Sequence, residues 1–89
     1  MIKTSTTISN KLGLHARASA KLTKLAGSFP CEVWIKRGER RVNAKSIMGV
    51  MMLAAGLGAT VEVETDGDRE QEAMNSLLAL MADKFGEGE

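Results

Sequence analysis

Ile2, Thr4, Thr6 and Ile8 alternate with Lys3, Ser5 and Thr7 at the start of the chain. β-Branched residues at a period of two predict a strand. A polar turn with Asn10 and Gly13 follows. From Ala16 to about Ala26 the period changes. Ala18, Leu22, Leu25 and Phe29 fall at helical spacing as a candidate buried stripe, while Arg17, Lys21 and Lys24 share a second, solvated face. Gly27 and Phe29-Pro30 stop that helix. Alternation returns at Cys31, Val33 and Ile35, Gly38-Glu39 turns the chain, and Arg40 to Asn43 comes back as the second arm of a hairpin. Ser46 is placed to cap a short helix from Ile47 to about Leu53 that Gly56 and Gly58 end. Thr60 to Asp66 is the clearest strand, with Val61 and Val63 inward and Thr60, Glu62 and Glu64 outward. Asp66-Gly67 turns, Asp68 and Gln71 have capping-box spacing, and a last helix runs to about Lys84 on Met74, Leu77, Leu78, Met81 and Phe85. Acids (Asp68, Glu70, Glu72) gather at its start and Lys84 at its end, and the Gly-Glu-Gly-Glu tail is expected to fray.

The predicted order is therefore β-α-β-β-α-β-α. Each long helix carries one apolar stripe and each strand one apolar face. That pattern implies an α+β fold: an open-faced sandwich with a four-stranded antiparallel sheet and three helices on one face. With 89 residues and no repeat or linker, residues 1–89 are expected to form one domain.

Composition narrows the function. A net charge of +1 offers no global field for nucleic acid, and 3% aromatics leave few stacking platforms. One cysteine, Cys31, excludes an intramolecular disulfide and a thiolate metal cluster. No run is long enough to span a membrane and no signal-peptide core is present, so a cytoplasmic location is expected. Cys31 and Trp34 are read as structural. Gly56-Leu57-Gly58-Ala59 is too short for a phosphate loop and lacks a following Lys-Ser/Thr.

His15, the only histidine, carries the chemistry. By composition alone a lone histidine is most simply a surface residue without a task. Its position argues otherwise. Immediately before a helix it serves as N-cap, beside the N–H groups of Ala16, Arg17 and Ala18. The helix dipole disfavours the protonated ring, and the neutral ring is the nucleophilic form. A phosphoryl group on the ring would meet those N–H groups and Arg17. No second histidine or thiolate offers a metal site, and no cofactor is expected. Arg17 is weighted toward phosphate. Lys21 and Lys24 are equally explained as a solvated face or as steering groups for acidic partners. Ser46 is an N-cap worth roughly 1 kcal/mol, or a regulatory phosphorylation site beside an apolar surface. The segment Ile47 to Ala55 is apolar all round, so some of Ile47, Met48 and Met51 must stay exposed, as a contact surface does.

Three stretches, Gly-Leu-His-Ala-Arg at 13–17, Asn-Ala-Lys-Ser-Ile-Met-Gly-Val at 43–50 and Thr-Val-Glu-Val-Glu-Thr-Asp-Gly-Asp at 60–68, resemble the HPr family, the histidine phosphocarriers of the bacterial phosphoenolpyruvate-dependent phosphotransferase system. The resemblance covers nearly the whole chain. It implies an HPr-like open-faced β-sandwich and phosphorylation of His15 at Nδ1. Enzyme I is then the donor and enzyme IIA-type domains are the acceptors. Arg17 matches the family's active-site arginine, and Ser46 matches the serine modified in some bacteria by an HPr serine kinase/phosphorylase. Ile47, Met48 and Met51 match its docking surface. The carrier is expected to be a monomer and not an enzyme in the turnover sense. The family's usual proline after the arginine is Ala18 here, which keeps an N–H with no intrahelical acceptor. A relative with glutamine in place of histidine, a catabolite-control protein, is excluded by His15.

Two other classes compete. One is a regulatory binding module, in nitrogen or carbon control, whose phosphorylation state selects its partners. The other, a small hydrolase, is weak because no Ser/His/Asp set or paired carboxylates stand at a convincing spacing.

Overall fold

The computed structural model describes residues 1–89. Four strands, β1 (Ile2–Thr7), β2 (Glu32–Arg37), β3 (Arg40–Asn43) and β4 (Thr60–Asp66), form one antiparallel sheet in the order β1-β4-β2-β3. The helices are α1 (Ala16–Gly27), α2 (Ile47–Met52) and α3 (Glu70–Ala82). Register follows the alternation: Thr4 stands opposite Val63, Ile35 opposite Val63 on its other side, and Trp34 opposite Asn43. Side chains of one parity then meet the helices. Val33, Ile35, Val61 and Val63 are buried with Leu22, Val50, Met74, Leu77 and Met81 in a continuous core. The other face of the sheet lies open.

Several local expectations change. In α1 the buried positions are Ala18, Ser19, Leu22 and Ala26, and Leu25 is only half-buried, because the contact with the sheet follows the i, i+4 row from Ala18. The glycines after α2 do not stop it. Ala54, at φ 52°, turns the chain out of the helix first. The capping box at Asp68 is not formed. Gly67 (φ 126°) and Arg69 (φ 63°) make a tight turn, and Arg69 occupies the cap position, where its guanidinium donates to the Glu72 carboxylate and no side chain caps the open N–H groups of the helix. The Glu70 carboxylate turns back instead to accept from the Gly67 N–H at 3.0 Å, which holds its carboxyl below the ordinary value. The last helix stops at Ala82 rather than near Lys84, so Lys84 lies outside it. Lys84 and Phe85 are both left-handed (φ 55° and 56°), and a short 3-10 turn at Lys84–Gly86 still drives Phe85 into the core.

On the open face Glu64 points outward as expected but is 6% exposed. Arg41 Nη2 donates to its Oε2 at 2.6 Å, and the same guanidinium stacks 4.0 Å from the centre of the Trp34 ring. A carboxylate tolerates that cover because a paired, stacked cation supplies it.

Candidate functional site

His15 sits at the N-cap of α1 with extended backbone (φ −75°, ψ −179°), and its carbonyl accepts the Ser19 N–H at 2.8 Å. The turn before it is tightly fixed. The Gly13 N–H bonds Asn10 O at 3.2 Å, and the Leu14 N–H bonds Ala55 O at 2.8 Å. Gly13 has φ 66°, and a Cβ there would lie 2.5 Å from Ala55 O and 2.6 Å from Gly56 Cα. Only glycine fits this close approach. The same contacts bring the segment after α2 against the turn that presents the histidine.

The two ring nitrogens face different partners. Nδ1 accepts from the Arg17 N–H at 3.3 Å and so points at the first turn of α1. Nε2 lies 2.5 Å from Glu87 Oε2. A carboxylate at that distance requires a proton between the two atoms, so the neutral ring carries its hydrogen on Nε2 and a lone pair on Nδ1. The Glu87 side chain is 13% exposed and that of His15 28%. The Glu87 carboxyl is held below the ordinary carboxylate value, first by the hydrogen bond from Asn10 and then by the contact with His15.

Glu87 reaches the ring because the tail is folded back. Lys21 Nζ donates to Phe85 O at 2.7 Å, the Glu87 N–H to Lys84 O at 3.0 Å and the Lys11 N–H to Glu89 O at 3.0 Å. The expectation of a frayed tail is therefore corrected: buried Phe85 anchors the tail and these bonds direct it to the ring. An open cleft of about 730 Å³ results, and Lys11, Arg17, Lys21, Glu87 and Glu89 line it with His15. The Arg17 guanidinium makes no bond within the chain, although its backbone N–H is paired to the ring. Ala16 lines the cleft, and Ala18 is buried under the first turn. Lys24 is not brought into the cleft. It borders a shallow groove with Leu25, Ser28 and Leu80.

At α2, Ser46 is the N-cap, and its Oγ accepts the Gly49 N–H at 3.2 Å. Ile47 (38%), Met48 (65%) and Met51 (38%) are exposed, and Met52 (59%) and Leu57 (62%) join them. Val50 alone of α2 is buried. Leu12, 67% exposed, lines the histidine cleft. The far end of α2 is held by the hairpin: Arg37 Nη1 donates to Leu53 O at 3.0 Å and Ala54 O at 3.1 Å, and Arg40 Nη1 to Met52 O at 2.7 Å. These cations satisfy the open carbonyls of the helix end.

Sequence patterning missed Glu87, Met52, Leu57 and Leu12, and saw Asn10 only as a turn former. Met52 was discoverable, since an all-apolar short helix must expose more than three residues, whereas Leu57 lies in the turn beyond the helix. Nothing local marks Glu87, which meets His15 across 72 positions.

A histidine at a helix N-terminus, flanked by an unpaired arginine and an exposed apolar helix, fits a small phosphoryl carrier. The comparisons agree. The family model described as "PTS HPr component phosphorylation site" matches residues 2–83. The chain is 68% identical to the phosphocarrier protein HPr of Cupriavidus necator over 89 residues, covering 100% of both. It is 43% identical to the phosphocarrier protein NPr of Shewanella violacea, with 91% of this chain and 89% of that one covered. The crystal structure of HPr-C-His from Thermoanaerobacter tengcongensis superposes with a TM-score of 0.95 at 41% identity, covering 98% of each chain. The chain belongs to the HPr family, and it is a phosphocarrier rather than a catalyst.

No helix is long and apolar enough to cross a membrane.

Proposed function

We propose that His15 Nδ1 accepts a phosphoryl group from phosphorylated enzyme I and passes it to enzyme IIA-type domains. The observation that carries this reading is the division of the ring: Nε2 is tied to Glu87 at 2.5 Å, and the Nδ1 lone pair faces the first turn of α1, held only by the long 3.3 Å bond from the Arg17 N–H that an incoming phosphoryl group displaces. In the forward step the Nδ1 lone pair attacks phosphorus as the bond to the donor atom breaks, and that atom keeps the electron pair. The Nε2–H stays in place throughout, so no proton has to be removed. The phosphorylated ring is an imidazolium facing the Glu87 carboxylate, and it leaves as neutral imidazole when an acceptor attacks. The N–H groups of Ala16, Arg17 and Ala18 and the Arg17 guanidinium hold the phosphoryl oxygens. Lys21 and Lys24 steer acidic partners, and Ile47, Met48 and Met51 form the apolar docking surface.

Ser46 is the regulatory position. A phosphate placed there by an HPr serine kinase/phosphorylase puts charge beside Ile47 and Met48 and repels an apolar or acidic partner. The carrier acts as a single-domain monomer in the cytoplasm, without nucleic acid or membrane.

Incubation with enzyme I and phosphoenolpyruvate tests the assignment. The wild type is expected to gain one acid-labile phosphate and His15→Ala none. Equal labelling of the two overturns it.

A second reading is a regulatory module, of nitrogen or carbon control, whose phosphorylation state selects partners. The Shewanella violacea relative supports it, since it is named phosphocarrier protein NPr rather than HPr. Rapid chase of the phosphate from His15 onto a sugar-specific acceptor favours transport, and transfer only to a nitrogen-branch acceptor favours regulation.

A further inference from the structure

Asn10 is fully buried, yet only half of its amide is satisfied. Nδ2 uses both hydrogens, one toward Gly13 O at 2.8 Å and one toward Glu87 Oε1 at 2.9 Å. Oδ1 is buried with no partner. Rotating the amide by half a turn would aim Oδ1 at a carbonyl oxygen and a carboxylate oxygen, so the observed orientation is dictated by its two acceptors. A buried acceptor left unpaired is a penalty that an apolar side chain would not carry. What the amide holds accounts for it. One hydrogen bond closes the turn that presents His15. The other fixes the carboxylate whose second oxygen meets His15 Nε2.

We infer that Asn10 is a positioning residue for phosphoryl transfer: acting through Glu87, it holds the neutral His15 ring as the Nε2–H tautomer with the Nδ1 lone pair aimed at the first turn of α1. The inference rests on the reading of His15 as the phosphoryl acceptor. A carboxylate accepts from Nε2–H only while its own rotamer is held. Glu87 sits on a tail whose backbone passes through two left-handed residues and Gly86 (φ 75°), and Asn10 is its hydrogen-bond anchor on the side away from the ring. An acid at position 10 could not serve, since it would face Glu87 with like charge and no donor.

The test uses the full chain with 15N-labelled histidine, at a pH where the ring is neutral. In the wild type Nδ1 is expected to show the shift of an unprotonated ring nitrogen and Nε2 that of a protonated, hydrogen-bonded one. In Asn10→Ala and Asn10→Asp both shifts move toward the averaged values of free imidazole. Phosphoryl uptake from enzyme I falls in kcat by roughly tenfold with KM for enzyme I unchanged, because geometry is lost and docking is not. Glu87→Ala gives the same ring shifts, and adding Asn10→Ala to it changes neither the shifts nor kcat further, as expected of a residue that acts through another. Should Asn10→Ala fail to fold, the Asn10→Asp and Glu87→Ala spectra decide. Wild-type shifts already averaged, shifts unmoved in the Asn10 variants, or an equal loss from Asn10→Ala with and without Glu87 each overturn the inference. The ring spectra are read without enzyme I, so absence of phosphate on wild-type His15 would instead sink the acceptor reading itself.

Discussion

Two helices of this molecule begin in the same way. α1 is capped by the ring of His15, which accepts the Arg17 N–H, and α2 by the hydroxyl of Ser46, which accepts the Gly49 N–H. In both, a side chain able to carry phosphate stands over open amides at the positive end of a helix. Their surroundings differ. His15 lies in a cleft lined by the unpaired Arg17 side chain, two lysines and the Glu87 carboxylate that meets its ring. Ser46 precedes a six-residue helix whose outer side chains are isoleucine and methionine left in water. On the proposed reading, charge added at the first site meets cations and open amides, and charge added at the second lies beside exposed apolar side chains. A helix N-terminus supplies the invitation to an anion, and the neighbours decide whether its arrival transfers a group or blocks a partner.

The largest effect that sharpens this contrast is expected from Ser46→Asp. A fixed negative charge beside Ile47 and Met48 should lower phosphoryl transfer from enzyme I by roughly a hundredfold through KM, since like charge at an interface costs several kcal/mol. Unchanged steady-state kinetics would break the comparison. Arg17→Ala comes next, with a loss of about tenfold or more in kcat/KM, the scale of one charge-assisted hydrogen bond to phosphate. Stopped labelling assays of the phosphorylated form should show a matching loss. Ser46→Ala removes the cap alone. It should lower unfolding free energy by about 1 kcal/mol in denaturant titration while leaving His15 phosphorylation intact.

The smallest effect separates the two ends of the ring. Glu87 has a lowered carboxyl pKa in the folded chain, so the stability it contributes is present above the ordinary carboxylate value. That contribution is lost as pH falls below the ordinary value and through the lower folded one. Glu87→Gln should flatten the acid limb of a thermal-stability profile over that window, and no change in the limb would contradict the Asn10–Glu87–His15 arrangement. Ser46 has no titrating partner and its variants should leave the limb as it is.

Much of this was legible in the residues. Alternation in Ile2–Ile8, Cys31–Arg37 and Thr60–Asp66 identified the strands, and the spacing of Ala18, Leu22, Met74, Leu77 and Met81 identified the helices that cover them. Those patterns are local: a side chain's face is set by the period of its own element, so a window of a few residues contains the information. The same holds for His15 and Ser46 as caps, and for the exposed Ile47, Met48 and Met51, which a short apolar helix cannot bury.

The tertiary structure alone decided the rest. Asp68 looked like a cap, but the conformations of Gly67 and Arg69 moved it inside a turn and gave the carboxylate role to Glu70. Glu64 looked solvated until Arg41, on a strand that does not adjoin its own, laid its guanidinium between it and Trp34. The run Lys36-Arg37-Gly38-Glu39-Arg40-Arg41 offers four cations, yet all three of its guanidinia are engaged within the fold. Glu87 reaches His15 and Asn10 only because buried Phe85 pins the tail. The chain itself determined which residue faces which way along each element and which side chain begins each helix. Packing determined which distant groups share a site, because a contact across 72 or 77 positions depends on where the whole core places both ends of the chain.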